Sequence, residues 1–295
     1  MKYQKKTFRV SPNTVERIID SYYEGKQLYK NYLPEILSFD EFKSVKSADG
    51  AMSFHMIDGK TIDIVEDRRL NNLMKYFSYY THNARSKVKL IVIDMCSPYI
   101  SLIKKMFPNA NIIIDKFHLV NLILNSLNKT RIKLMKYDKK NYNKLKRYYR
   151  LLLKSQEDLN NTKWKRYWCF DNLMTQSDIV NYLININEEL KDTYEMYQNI
   201  LYALKHNKIN DLELILNNKD LKISDYMKTS VKTLKEYLPY IKNTLSNSYH
   251  NGFVEGNNNF IKVLKRIAFG FRSFRRFKAR IMICKNLLHM KKANA

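Results

Sequence analysis

Two short apolar runs, each ending in an aspartate, constrain the fold of this chain most. VKLIVID occupies residues 88–94 and NIIID occupies residues 111–115. Continuous runs of this length are typical of strands that are covered on both faces. Between them, Ser97 and Pro98 open a helix that runs to Met106, with the proline at or near its first position. This order predicts a sheet with helices packed against it.

Three further strand patterns precede these runs. In ILSFDEF, residues 36–42, Leu37 and Phe39 point to one face and Asp40 points to the other. AMSFHMI and TIDIVED follow, separated by Asp58-Gly59, a dipeptide that suits a tight hairpin turn. The next segment, LNNLMKYFSYY, has the apolar spacing of a helix. The sequence therefore predicts an α/β fold, with a three-stranded meander followed by strands that alternate with helices in one mixed sheet.

The middle of the chain, residues 116–245, has helical spacing of leucine, isoleucine and tyrosine and no convincing strand. It is predicted to be an all-helical block, with polar joints near residues 137–142, 155–163 and 206–210. Within it, Trp164 and Trp168 are four residues apart, the spacing of one helix face. They are predicted to pack inside the block, with contact to DNA as the alternative.

The charge balance favours a polyanionic partner. The chain has 53 lysines and arginines against 28 acidic residues, a formal excess of +25, and each phosphate that a cation neutralises releases counterions. A membrane surface is the alternative, but no apolar stretch reaches the roughly 18 residues of a membrane span, and no basic amphipathic anchor is present. The three cysteines are far apart and form no C-x-x-C pair. This pattern favours buried thiols in a reducing cytoplasm over disulfides or a zinc site.

Two aspartates stand where functional groups are common. Asp94 ends a buried strand, and a charge there is costly unless it is paired, hydrogen-bonded or bound to a metal ion. The alternative for Asp94 is an N-cap of the helix opened by Pro98, although Ser97 is better placed for that role. Asp40 lies inside the first strand, and its alternative is an ordinary solvated side chain. Neither aspartate alone indicates a catalytic site.

Glu255 gains significance from helical geometry over residues 253–268. One stripe of such a helix contains Glu255, Asn259, Lys262 and Arg266. The opposite stripe, predicted to pack against the sheet, contains Val254, Ile261, Leu264 and Ala268. Carboxylates bind divalent metal ions whereas lysine and arginine bind phosphate, so the first stripe suits a phosphodiester held beside a metal ion. The alternative is a glutamate favoured at a helix terminus by the macrodipole.

Asp40, Asp94 and Glu255 together have a chemical rationale. Strand cleavage and strand transfer on DNA proceed by in-line displacement at phosphorus, which two Mg²⁺ or Mn²⁺ ions can promote. Mg²⁺ keeps several water ligands, so two aspartates and one glutamate suffice to hold such ions. These three residues are therefore the candidate catalytic and metal-binding residues, with two metal ions as the expected cofactors.

Four blocks, in this order, resemble the bacterial DDE transposases of the ISL-three insertion-sequence family. They are SFDEF at 38–42, IDMCSPY at 93–99, FPNANIIIDKFH at 107–118 and SNSYHNGFVEGNNNFIKVLKRIAFGFRSFRRFKARI at 246–281. The resemblance implies an RNase H-like, retroviral-integrase-like core interrupted by a large all-α insertion. It implies a transposase that cleaves and joins DNA strands, with Asp40, Asp94 and Glu255 as the DDE triad. Asp115 and His118, in DKFH, match another family block as possible site-lining residues, and the alternative for Asp115 is a helix cap.

The resemblance also implies an organisation and partners. The expected domains are a helix-turn-helix remnant and linker (1–33), the first part of the core (34–130), the helical insertion (131–245) and the C-terminal core helices (246–295). The expected partner is double-stranded DNA, at the element ends and at the target, with no membrane partner. Because two DNA ends must be paired, a homo-oligomer on the DNA is expected. The expected location is the bacterial cytoplasm, in association with the nucleoid.

The C-terminal region supplies the predicted DNA contacts. After Glu255 the chain has eleven lysines or arginines and no further acidic residue. The residues predicted to contact DNA are Asn259, Lys262, Arg266, Arg272, Arg275 and Arg276. Phe271, Phe274 and Phe277 interleave with these arginines. At a spacing of three on a helix they are predicted to be core residues, with stacking against nucleic acid as the alternative.

One departure from the family pattern concerns the N-terminus. Family members usually carry a zinc-finger-like segment and a helix-turn-helix ahead of the core. Here FRVSPNTVERIIDSYYE resembles only the last helix of that motif, with Ser11 as its cap and Pro12 at its first position. A lone helix cannot dock in a groove as the two-helix motif does. The expectation is a shortened copy, and the alternative function is a truncated, non-catalytic DNA-binding remnant.

Overall fold

The structure is a computed structural model. It describes residues 11–24, 31–218, 221–247 and 252–293. The chain divides into two compact units. The first consists of residues 1–112 together with 250–295, and the second consists of residues 113–249.

Five strands form one mixed sheet. They are β1 (Ile36–Lys43), β2 (Met52–Asp58), β3 (Lys60–Val65), β4 (Leu90–Ile93) and β5 (Asn111–Ile114). Their order across the sheet is β3-β2-β1-β4-β5. β1, β2 and β3 pair antiparallel as a meander, and β4 lies parallel to β1 on its other side. All five predicted strands are confirmed, because each apolar pattern was long enough to distinguish a strand from a helix.

The β2–β3 connection is the tight turn that Asp58-Gly59 predicts. Asp58 pairs with Lys60 across the turn. The single intervening residue, Gly59, has a φ of 60°, in the left-handed region that glycine adopts without a steric cost. A side chain at this position is therefore disfavoured by the backbone itself.

Fourteen helices lie within the described residues. In chain order they are α1 (Pro12–Glu24), α2 (Leu70–Ser78), α3 (His82–Ser86), α4 (Ser97–Met106), α5 (Lys116–Tyr137), α6 (Tyr142–Arg147), α7 (Tyr149–Leu152), α8 (Gln176–Ile184), α9 (Glu188–Lys205), α10 (Ile209–Asn217), α11 (Asp225–Glu236), α12 (Leu238–Ser246), α13 (Gly252–Ile267) and α14 (Phe274–Ala293). None of the helices in this described part of the chain combines the length and apolar character needed to cross a bilayer.

Helix starts confirm one predicted cap and correct another. The Ser11 hydroxyl accepts a hydrogen bond from the Thr14 N–H at 3.2 Å, which caps α1 as predicted. Ser97 was expected to cap α4, but it is the first helical residue, and the N-cap residue is Cys96, which makes no side-chain cap bond. Asp94, the alternative cap, lies two residues before that position. The cap explanation for Asp94 is therefore wrong.

The core of the first unit packs on both faces of the sheet. The rings of Phe39, Phe54 and Phe77 contact one another, with centroids 4.9–5.9 Å apart. A second apolar cluster joins β1 and β3 to α13 and α14. Phe277 is fully buried in this cluster. Phe271 and Phe274 are partly buried and pack against it, so the prediction of core residues is confirmed for Phe277 and in part for the other two.

The second unit is built around α5, which packs against α9 and α11. Buried hydroxyl pairs join α5 to the segment that contains α11, with Ser126 and Ser230 2.6 Å apart and Thr130 and Ser224 also 2.6 Å apart. A polar pair in a core is tolerated when each hydroxyl is hydrogen-bonded in this way.

Two short strands correct the prediction that this unit is all-helical. β6 (Lys165–Arg166) and β7 (Leu173–Met174) pair antiparallel as a small ribbon. Trp164 and Trp168 therefore do not share a helix face, and their relative exposures are 62% and 57%. The prediction that both tryptophans pack inside the block is wrong, because KWKRYW forms part of this ribbon and its flanks.

Candidate active site

Asp40 and Asp94 lie level with each other on neighbouring parallel strands. The register of β1 and β4 pairs Ile36 with Leu90, Leu37 with Ile91 and Ser38 with Val92. The same offset brings Asp40 level with Asp94, the residue that follows β4. Neighbouring strands are about 4.8 Å apart, and residues at the same level of a parallel pair point to the same face. Both aspartates are half-buried. The backbone register, extended by two residues, thus places the two aspartates at the same level of the sheet.

Both oxygens of the Asp40 carboxylate accept hydrogen bonds. Oδ1 accepts from the Glu41 backbone N–H at 2.7 Å. Oδ2 accepts from the side-chain amide of Asn258, which lies on α13. Hydrogen bonds to an ionised carboxylate are among the stronger ones in proteins. The second bond therefore anchors α13 to the middle of β1.

Asn258 also contacts His55, so one amide connects two buried groups. The Asn258 Oδ1 atom lies 3.3 Å from His55 Nδ1, and His55 Nε2 lies 2.9 Å from the Thr61 hydroxyl. Because the Asn258 amide nitrogen donates to Asp40, its oxygen must accept from His55. His55 therefore carries its proton on Nδ1, and Nε2 accepts from Thr61.

The environment of His55 keeps its ring neutral. His55 is fully buried on β2, directly opposite Asp40 in the β1–β2 register. Burial lowers its pKa from 6.5 to about 4, opposed in part by the bond to Asn258 and reinforced by the charge of Lys285. A neutral ring with one donor and one acceptor satisfies both of its partners. The sequence analysis identified neither His55 nor Asn258 as part of this site.

Three further residues of α13 fix how the helix lies against the sheet. Lys265 Nζ donates to the backbone carbonyls of Lys43, the last residue of β1, at 2.6 Å and of Ser44 at 3.0 Å. Ile261 and Leu264 are buried in the apolar cluster. The predicted apolar stripe is thus confirmed at these two residues. The Val254 side chain lies outside the described part of the structure.

Glu255 lies in the first turn of α13, and its side chain is also outside the described part. Its backbone position is informative because Asn258 follows it by three residues. At 100° per residue, positions three apart on a helix are separated by about 60° around the axis. The helix flank that contains Glu255 is therefore adjacent to the flank that contacts Asp40 through Asn258.

A neighbouring carboxylate, Glu41, has a different environment. Both of its oxygens accept from the Arg68 guanidinium, and one accepts from the Tyr99 hydroxyl at 3.0 Å. Burial, followed by the charge of Glu41, raises the pKa of Tyr99. Glu41 alternates with Asp40 along β1 and thus points to the opposite face. Because the Glu41 carboxylate is already paired with Arg68, it is not a candidate metal ligand.

The predicted DNA-contacting residues occupy the C-terminal part of the first unit. Asn259, Lys262 and Arg266 are exposed along one side of α13, as the predicted stripe requires. Arg272, Arg275 and Arg276 are exposed around the start of α14. Arg276 forms an ion pair with Glu16 of α1 at 2.8 Å. Phosphate binding by Arg276 therefore competes with a contact inside the protein.

Asp115 and His118 lie at the start of α5, in the second unit. The Asp115 side chain accepts from the Phe117 N–H at 3.1 Å and thus caps the helix, as its alternative interpretation predicted. A carboxylate oxygen of Asp115 and a ring nitrogen of His118 lie within 4.8 Å of each other. Capping uses one oxygen of Asp115 and is compatible with a further role for the other.

The residues of the first unit fit a hard divalent cation. Mg²⁺ and Mn²⁺ prefer oxygen ligands, and Mg²⁺ needs only one or two carboxylates because it retains water. Asp40 and Asp94 supply two half-buried carboxylates on the same face of the sheet. The donor set therefore matches such an ion.

Comparisons with known proteins indicate a family. The model of the DDE transposase family of ISL-three insertion sequences, described as a transposase, matches residues 37–281. The transposase for insertion sequence element IS1001 of Bordetella parapertussis is 25% identical over 248 residues, which is 81% of this chain and 58% of that protein. A Lactococcus lactis protein named ATP-dependent protease is 44% identical over 110 residues, which is 37% of this chain and 35% of that protein. The chain thus spans between about one third and three fifths of these relatives' lengths.

Proposed function

The chain belongs to the DDE transposase family of ISL-three insertion sequences, and on this premise we propose that it cleaves DNA strands and transfers them in a reaction that depends on a divalent metal ion. The proposed catalytic and metal-binding residues are Asp40, Asp94 and Glu255. The proposed substrate is double-stranded DNA, both at the ends of the element and at the target. Insertion-sequence transposition is the process that this reaction serves.

One observation carries the proposal. Asp40 is level with Asp94 on adjacent parallel strands, and Asn258 ties Asp40 to the helix that contains Glu255. The proposed site needs a third carboxylate, and the backbone of Glu255 lies on the flank of α13 next to the one that contains Asn258. The geometry supports a common acidic site although these residues are far apart in sequence.

Each group has a role in the proposed reaction. When bound, two Mg²⁺ or Mn²⁺ ions supply activation of the attacking oxygen and stabilisation of the leaving oxygen. Asp40 and Asp94 hold the ions through carboxylate oxygens, and the Asn258 amide fixes the orientation of the Asp40 carboxylate. Lys262 and Arg266, about two and three turns after Glu255 on α13, bind the phosphates that flank the reacting bond.

The remaining parts of the proposal concern fold, further contacts and assembly. We propose an RNase H-like core, which the meander followed by alternating strands and helices supports. The further residues proposed to contact DNA are Asn259, Arg272, Arg275 and Arg276. The prediction that Asp115 and His118 line the site is kept as a prediction. A homo-oligomer on DNA is proposed because two element ends must be held together.

We do not propose ATP binding for this chain from its similarity to the Lactococcus protein, because the best match to a nucleotide-binding loop lacks the first glycine. A nucleotide-binding loop has the pattern G-x-x-x-x-G-K-[ST]. Here Gly59-Lys60-Thr61 has Phe54 at the place of the first glycine. This run forms the β2–β3 turn, and the Thr61 hydroxyl is hydrogen-bonded to His55. The backbone of Lys60 and Thr61 is therefore part of strand β3 and does not form a phosphate-binding loop.

The test is a DNA cleavage and joining assay in Mn²⁺ with the unmodified chain, Asp94→Asn and the control Glu35→Gln. Glu35 is an exposed carboxylate beside the start of β4, at the opposite end of that strand from Asp94. We expect nicked and joined products with the unmodified chain and the control, and neither with Asp94→Asn. Equal nicking in all three, or none while DNA is still bound, contradicts the proposal and favours a non-catalytic DNA-binding protein. Nicking without any joined product indicates a nuclease.

A further inference from the structure

The second unit has a ribbon that presents tryptophan beside lysine and arginine. In the β6–β7 pair, Lys165 is opposite Met174 and Arg166 is opposite Leu173. Trp164, which immediately precedes β6, is 62% exposed. Tryptophan side chains are highly buried on average, so this degree of exposure is unusual for the residue type. The DDE chemistry proposed for the first unit does not use this ribbon.

Alternate residues of the segment 163–167 face opposite sides of the ribbon. A cleft of about 420 Å³ is lined by Lys163, Lys165 and Tyr167 of this segment, together with Lys154 and the carboxylate of Asp158. The intervening residues Trp164 and Arg166 do not line it and are exposed. This alternation follows from the period of two in an extended chain. One side of the segment thus supplies lysines around a concave surface, and the other supplies an aromatic ring.

The surrounding charge favours an anionic partner. Residues 139–176 contain ten lysines and arginines and three acidic residues. Two of those acids, Glu157 and Asp158, form ion pairs with Lys205 at 2.8 and 3.7 Å. The Arg147 guanidinium lies over the Trp168 ring, 5.1 Å from its centroid. Such a pair is a flat, positively charged platform.

We propose that this ribbon binds a DNA strand that has unpaired bases. In this proposal the strand crosses the edge of the ribbon, so that the lysines of the cleft hold backbone phosphates on one side and Trp164 stacks on a base on the other. Stacking requires an unpaired base, because duplex bases already stack on each other, whereas the phosphates are available in any DNA. The choice of DNA over RNA rests on the proposed function.

The chain has two tryptophans, which makes the test direct. In Trp168→Phe, Trp164 is the sole tryptophan and reports on its own surroundings by fluorescence. The variant is titrated with an oligothymidylate of about 16 nucleotides in EDTA, where metal-dependent cleavage is blocked. We expect quenching of Trp164 emission. By anisotropy of the labelled oligonucleotide, Trp164→Ala is expected to bind about tenfold more weakly. Replacing Lys154, Lys163 and Lys165 with alanine is expected to reduce the salt slope of log K by about two.

Matched controls are Tyr226→Ala, which removes a 43%-exposed aromatic side chain elsewhere in the unit, and Lys191→Ala, on an exposed position of α9. Both are expected to bind like the unmodified chain. Binding without quenching of Trp164, no binding, or equal loss in the controls overturns the proposal. Equal quenching by a fully paired duplex overturns the stacking step, and tighter binding of oligouridylate overturns the choice of DNA. Because the experiment measures binding without metal, these failures are distinct from a failure of strand cleavage.

Discussion

Asn258 donates a hydrogen bond to Asp40 across 218 positions of the sequence, and its amide oxygen accepts from buried His55. One side chain thus orients a candidate metal ligand and satisfies a donor in the core. The contact also sets the rotation of α13 about its axis, because the neighbouring amides of Asn257 and Asn259 are each about 100° away around the helix. The position of Glu255 relative to the two aspartates therefore depends on Asn258.

Asn258→Ala is expected to destabilise the first unit by about 1–3 kcal/mol. The substitution leaves the His55 Nδ1–H buried without an acceptor, and an unsatisfied buried donor costs this much. Denaturant unfolding gives the free energy. The matched control is Asn259→Ala, at an exposed position of the same helix, which is expected to change stability by less than about 0.5 kcal/mol. Similar losses in the two variants contradict the role of Asn258.

The stability of the first unit is expected to depend on His55 at mildly acidic pH. The pKa of His55 is lowered from 6.5 to about 4 in the folded chain. Between these values the unfolded chain binds a proton that the folded chain excludes, so the free energy of unfolding falls as the pH falls. No contribution is present above the unfolded pKa, and the full loss by pH 4 is about 3 kcal/mol.

Urea unfolding at several pH values, compared between the unmodified chain and His55→Gln, measures this dependence. The variant is less stable at neutral pH because it cannot satisfy Thr61 and Asn258 together, so only the slopes are compared. The slope of unfolding free energy against pH is expected to be smaller in His55→Gln over the window from 4 to 6.5. Identical slopes in the two proteins contradict this explanation.

The spacing of apolar residues along the sequence predicted the five-stranded sheet but not the β6–β7 ribbon. The strands β1 to β5 each have four or more residues, enough to show either alternation or a continuous apolar run. β6 and β7 have two residues each, which is too short to show any period. The KWKRYW segment therefore fitted a helix as well as a strand, and only pairing with Leu173 and Met174 distinguishes them.

Prediction of the site was limited by polar residues that are buried through specific partners. The stripe on α13 correctly assigned Ile261 and Leu264 to the core, but Asn257 is also buried and Asn258 points toward Asp40. Hydropathy assigns asparagine to solvent, whereas a hydrogen-bonded amide is tolerated in the interior. The partner of Asn258, His55, is 203 residues away. No local pattern could have identified that pair.

Lys278→Met is expected to destabilise the first unit by about 3–5 kcal/mol. Lys278 Nζ lies 2.6 Å from Asp63 Oδ1, and the side-chain exposures are 15% and 1%. Removal of the lysine leaves a buried carboxylate without its cation, which is the costly case. The double variant Asp63→Asn with Lys278→Met is expected to recover part of the loss. Lys228→Ala, which breaks the exposed pair with Asp225, is the control and is expected to cost less than about 1 kcal/mol. Equal losses for the two lysines contradict the burial argument.

Lys262→Ala and Arg266→Ala are each expected to reduce the salt dependence of duplex DNA binding. A cation that neutralises one phosphate contributes about 0.9 to the slope of log K against log salt. Lys89→Ala is the control, because Lys89 is exposed, precedes β4 at the end away from Asp94, and pairs with Glu35 at 2.9 Å. Fluorescence anisotropy at several salt concentrations measures the slopes. An unchanged slope in both α13 variants contradicts phosphate contact by this helix.

Asp94→Asn is expected to affect stability far more in the presence of Mn²⁺ than in its absence. In EDTA, Asp94→Asn is expected to change stability little, because the amide conserves the shape of the half-buried side chain. At a Mn²⁺ concentration 100 times the dissociation constant, the unmodified chain gains about 2.7 kcal/mol, and the variant gains far less because a ligand is lost. Thermal unfolding in Mn²⁺ and in EDTA measures both differences. Glu35→Gln, with its exposed carboxylate, is expected to gain as much from Mn²⁺ as the unmodified chain. If Asp94→Asn gains equally, the ion binds elsewhere and the acidic site is not the metal centre.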